Sequence, residues 1–134
     1  MDLLPLFKSV IDQDRAPVVI CDLCHDIVYM NPAAIEYYDD EGGEALIGHS
    51  VMDCHSPKAR EMIAKVVEWF NEGESHNIIH TFYSESKEKD VYMVALRDGG
   101  KLIGYYEKHE SRKRDMGGFY AGIGRPGNTS KPSE

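Results

Sequence analysis

The sequence has no long apolar run. None approaches the roughly 20 residues that a membrane-crossing helix requires, so no membrane partner is expected. Cysteine is scarce and odd in number, three in 134 residues, which argues against a disulfide framework and for reduced thiols. Positive charge is short as well, with 15 Lys and Arg against 23 Asp and Glu and a net charge of −8. The deficit is uneven: residues 1–110 carry 21 of the acids and 10 of the bases, and the short SRKR at 111–114 opens a slightly basic end. An acidic body repels a phosphate backbone, so no nucleic-acid partner is expected. The start, MDLLPLFKSVIDQD, has an acid at position 2, one lysine and no small-residue cleavage site. It is not read as a signal peptide, and a cytoplasmic location follows as the expectation.

What is present suits one globular domain, at 42% hydrophobic and 28% charged residues. The best-punctuated stretch is a helix over 56–72. Ser56 is a suitable N-cap and Pro57 falls at the first helical position, where a missing N–H costs nothing. Ala59, Met62, Ile63, Val66 and Phe70 recur on one face, with Val67 and Trp69 widening it. Gly73 follows as a candidate left-handed stop.

Earlier in the chain, residues 3–13 form a short amphipathic pattern with Leu6, Phe7, Val10 and Ile11 on one side. Residues 18–21 and 27–30 are β-branched, apolar runs separated by a turn near Asp22 to Asp26, a hairpin. Asn31-Pro32 caps and opens a short helix that Gly42-Gly43 ends. A second short helical segment, EALIGHS, leads to the main helix. After Gly73 the period becomes alternating, and SHNIIHTFYSES, DVYMVALRD and KLIGYYEKHE read as three strands. Asp98-Gly99-Gly100 is a strong hairpin turn. Strands split around a helical middle predict α+β, a five-stranded antiparallel sheet with helices packed on one face. The expected organisation is an N-terminal helix over 1–15, a domain over 16–111 and a Gly/Pro/Ser-rich flexible tail over 112–134.

The stretch from Pro17 to Ser111 resembles a PAS domain. The likeness rests on Pro17-Val18-Val19-Ile20, Asp22 and Ile27-Val28-Tyr29-Met30-Asn31-Pro32-Ala33-Ala34, then on Leu46-Ile47-Gly48-His49-Ser50 and on Leu96 through Gly104. It is similar most of all to PAS modules beside hemerythrin-like domains, which carry a Cys-His-Pro-Pro-Lys segment at the start of the long helix. Here that segment is Cys54-His55-Ser56-Pro57-Lys58, and the Asp-Gly common in the first PAS hairpin is replaced by Cys24-His25-Asp26. The resemblance implies a small-molecule sensor that dimerises. With no kinase, cyclase or DNA-binding segment in the sequence, its effector protein is expected to act in trans.

Cys54 and His55 are the first candidate site residues, because a helix N-terminus favours a thiolate just before it. A redox thiol or a haem ligand would use that chemistry, and a buried cysteine beside a capping histidine is the plain alternative. His76 and His80 are the other candidates. If their strand face points inward with Ile78 and Phe82, two imidazoles line a cavity; if outward, Asn77, Ile79, Thr81 and Tyr83 face the core. Cys21-Asp22-Leu23-Cys24-His25 matches the short c-type haem pattern, but it spans a strand end and a turn. A zinc site from Cys21, Cys24, His25, Cys54 and His55 lacks a second paired spacing. One or two of the tyrosines are candidates to line an aromatic pocket for a planar ligand. Gly122-Ile123-Gly124-Arg125-Pro126-Gly127 has the spacing of a dinucleotide fingerprint without the strand and helix it requires. No nucleophile, base and oxyanion donors converge, so the chain is read as a binding module and not as an enzyme. The leading expectation is a stand-alone sensory module that binds a small molecule or a protein partner between its sheet and the Ser56–Glu72 helix and signals through dimer or partner contacts. The alternative is a haem- or thiol-based redox sensor.

Overall fold

The computed structural model describes residues 1–124. A leading helix, α1 (Leu4–Asp12), precedes the hairpin β1 (Val19–Asp22) and β2 (Ile27–Met30). Then come α2 (Pro32–Tyr37), three short 3₁₀ turns, and the main helix α3 (Pro57–Asn71). Strands β3 (Ile78–Ser84), β4 (Lys89–Asp98) and β5 (Lys101–Ser111) follow, and α4 (Gly118–Gly122) is last. The strands form one five-stranded sheet in the order β2-β1-β5-β4-β3. Every neighbouring pair is antiparallel. The first and last strands of the meander therefore meet at its centre, which closes the domain around β1 and β5.

Local chemistry sets most of these boundaries. The Ser56 hydroxyl accepts from the Ala59 amide at 3.2 Å, with Pro57 in the first turn of α3. The Asn31 side chain accepts from the Ala34 amide at 2.9 Å and starts α2 in the same way. Between β4 and β5, Gly99 and Gly100 take φ of 57° and 86°, values that a side chain would disfavour. In the first hairpin Asp22 accepts from the Cys24 and Asp26 amides, and His25 takes the positive φ of 68° that glycine would ordinarily supply.

The core lies between the inner face of the sheet and the helices. Phe70 is fully buried and packs with Val66, Met30, Met93 and Leu102. Ile63, Val67 and Trp69 flank it. Met62, expected on this face, is instead 50% exposed. A helix turns roughly 100° per residue, so the stripe through Ile63, Val66 and Phe70 leaves Met62 on its flank.

The stop of α3 also differs from expectation. Gly73 has no positive φ, and the helix ends at Glu72 in a right-handed conformation. The terminal carbonyls go to Arg97 on β4. Its guanidinium donates to Phe70 O at 2.7 Å, Gly73 O at 3.0 Å and His76 O at 3.2 Å. A Cβ at Gly73 would sit 3.3 Å from the His76 ring, a tight contact that the ring would have to ease by a few tenths of an ångström.

One buried side chain ties α1 to the domain. Asn31 is 0% exposed. Its Nδ2 donates to Ile11 O at 3.0 Å and Ala16 O at 3.1 Å, while its Oδ1 also accepts from the Val18 amide at 2.9 Å. The Tyr29 hydroxyl adds a hydrogen bond to Asp12. At the other end, part of the expected flexible tail is the short helix α4, and Arg112 pairs with Asp90 at 2.6 Å. The glycine-rich fingerprint runs out of the described residues after Gly124.

Candidate functional site

Between the sheet and the helical layer lies a cavity of about 240 Å³. Val19, Ile27, Met30, Leu46, Ile63 and Met93 give it apolar walls. Its polar lining comes from Cys21, Tyr105 and Glu107 on the sheet, Tyr38 and Glu41 after α2, and Cys54 and His55 before α3. Strand register explains the sheet contribution. On β5 Tyr105, Glu107 and His109 alternate onto the inner face, and Glu107 stands between Val19 of β1 and Met93 of β4.

Glu107 is the one carboxylate on the sheet wall, flanked by Val19 and Met93, and a fixed donor holds it. His109 Nε2 lies 2.8 Å from its carboxylate, and Lys89 Nζ lies 2.7 Å from His109 Nδ1. An ammonium only donates, so Nδ1 accepts and the ring proton sits on Nε2, aimed at Glu107. Lys89 and Lys87 also donate to the Tyr37 hydroxyl, and that pairing, Lys87 first, lowers the Tyr37 pKa from its ordinary value. For Tyr38 next to it, burial first and then the Glu107 charge push the pKa up.

A second polar cluster joins the first hairpin to β5. The Tyr105 hydroxyl lies 2.7 Å from His25 Nδ1, and burial raises its pKa, with Cys21 adding to the shift. Burial likewise lifts the Cys21 thiol to about 11. Cys21 is therefore an unreactive core thiol, while Cys24 and Cys54 are exposed.

The four residues singled out from the sequence part company. Cys54 and His55 both line the cavity. His55 Nδ1 lies 2.7 Å from Val51 O, a carbonyl that only accepts, so Nδ1 carries a proton and donates it there. His76 lies outside the strand, stacked on Trp69 at 4.2 Å and 4° between planes, with Nδ1 2.7 Å from Trp69 O. It works as a structural plug at the end of α3. His80 is on the outer face, 2.8 Å from Asp90 and edge-on to Tyr92 at 5.2 Å. A bulge between His80 and Phe82 breaks the alternation, so neither register predicted for β3 holds along its length.

Glu107, Glu41 and Tyr38 are the site residues that the sequence did not single out. The available signal was Glu107 itself, alternating with Tyr105 and His109 on the side of β5 that must face the core. A cavity of about 240 Å³ is small for a ligand pocket and a poor match to a porphyrin macrocycle. Among the described residues no group of three or more His, Cys, Asp and Glu is placed to hold a metal ion. Nor is any described helix long and apolar enough to cross a membrane.

A sheet of order 2-1-5-4-3 with its helices and a cavity on one face is the PAS fold. Solved structures agree. The chain is similar to the C-terminal domain of a Streptococcus mutans protein, with TM-score 0.64, 21% identity, and 82% of this chain and 85% of that one covered. It is similar to the PAS domain of a Colwellia psychrerythraea protein, with TM-score 0.59, 18% identity, and 82% and 97% covered. For the PAS domain of Bordetella pertussis BvgS the values are 0.55, 17%, and 85% and 89%. No family model matches the sequence, and no curated protein matches it either.

Proposed function

We propose that the chain is a PAS-type sensory module that binds a small molecule in the Glu107 cavity and signals through dimer or effector contacts. The observation that carries this reading is the cavity itself: apolar walls with a few convergent, pre-positioned polar groups, the usual form of a small-molecule site. The module spans residues 16–111, with the N-terminal helix and the tail as its connections. α1 supports the homodimer. It buries no residue of its own, and Leu6, Phe7 and Val10 are 50%, 59% and 74% exposed, an apolar stripe suited to a second copy. The likeness to PAS modules found beside hemerythrin-like domains belongs to the same proposal, since its segment begins with the two cavity residues Cys54 and His55. An exposed Cys54 at that position also favours a thiol-based redox response as the second reading.

Native mass spectrometry of freshly purified protein tests the main reading. We expect the chain to retain a small molecule that an Ile63→Trp variant, its cavity filled, does not. Equal retention by both proteins would place the ligand elsewhere. A Cys54→Ser variant with an unchanged oxidant response would remove the thiol reading.

A further inference from the structure

We infer that the cavity selects a compact organic cation, an amine carried on a small apolar body, and that Glu107 is its anchor. The inference rests on the cavity being the ligand site.

Size sets the first limit. At about 240 Å³ the cavity is at the small end of ligand pockets, which favours a compact molecule. Charge sets the second. The lining holds two carboxylates, Glu41 and Glu107, and neither lysine nor arginine. An anionic ligand would enter without a counter-charge, which burial makes costly.

Glu107 is built to receive a cation. His109 Nε2–H fixes it from the protein side. A carboxylate accepts at about four lone-pair positions, so capacity is left over. His109 is closed off, its side chain only 6% accessible, whereas the Glu107 side chain is 40% accessible and lines the cavity. Val19 and Met93 on the neighbouring strands keep its surroundings apolar, which strengthens a charge pair formed there. Tyr38 and Tyr105 add ring faces beside the same space, further partners for a cation. With Nδ1 donating to Val51 O, a neutral His55 ring offers Nε2 as one more acceptor for an N–H donor.

Three probes of matched size separate the possibilities: benzylamine, benzyl alcohol and benzoate, titrated into the full chain and followed by calorimetry and thermal shift. We expect benzylamine to bind at least tenfold more tightly than benzyl alcohol, and benzoate not to bind. Glu107→Gln should weaken benzylamine at least tenfold and leave benzyl alcohol unchanged. Glu41→Gln, on an exposed turn, should weaken benzylamine by a smaller factor and serves if the first variant does not fold. Benzoate binding as tightly as benzylamine, or a benzylamine affinity unaltered in the variants, would overturn the charge selection while leaving the cavity a ligand site. No response to any of the three probes would overturn the cavity reading along with it.

Discussion

Two helices with similar amphipathic patterns have opposite relations to the core. α3 puts Val66 and Phe70 against the sheet and buries both. α1 has no fully buried residue, with only Ile11 and Asp12 partly covered, and its apolar residues Leu6, Phe7 and Val10 are exposed. Its attachments are polar: the Ile11 carbonyl on Asn31, and Asp12 on Tyr29. A hydrophobic stripe thus shows that a helix has a face to cover, without saying whether its own domain covers it. In α3 the stripe is spent on stability. In α1 docking is done by hydrogen bonds and the stripe is left over.

The contrast can be broken in order of size. Phe70→Ala should cost about 3–5 kcal/mol, as a lost core aromatic does, read as a shift in the denaturation midpoint. A loss within experimental error would mean that α3 is not the core helix. Asn31→Ala comes next, at about 3 kcal/mol, because it strips buried amide and carbonyl groups of their partners. Hydrogen exchange should show α1 loosened in this variant while α3 keeps its protection. The smallest effect on the monomer belongs to the pair Phe7→Ser and Val10→Ser, within ~0.5 kcal/mol, as for exposed positions generally. Sedimentation should nevertheless show the dimer weakened. If that pair destabilised the monomer as Phe70→Ala does, α1 would be a core element and the comparison would fail.

What could be read from the sequence was what neighbours in the chain decide. Ser56-Pro57, Asn31-Pro32 and Gly99-Gly100 each place a boundary through residues within three positions, and each stands where expected. The end of α3 could not be read in the same way, since Arg97, 27 residues from Phe70, supplies the donors. The face of His80 was hidden by a bulge that no periodicity announces. The site was half legible. Helix-start chemistry drew attention to Cys54 and His55, which do reach the cavity. Glu107 was passed over because an acid in a strand reads as a solvent-facing residue until neighbouring strands show which side is inner.

The Asn31 amide acts as a rivet through three layers of chain. Its carbonyl end grips the amide before Val19, a wall of the chamber, and the first turn of α2, whose far end carries Tyr38. Its nitrogen end grips the leading helix. A tug on that helix strong enough to shear the rivet is thus delivered to two walls of the chamber at once, and neither can slacken by itself.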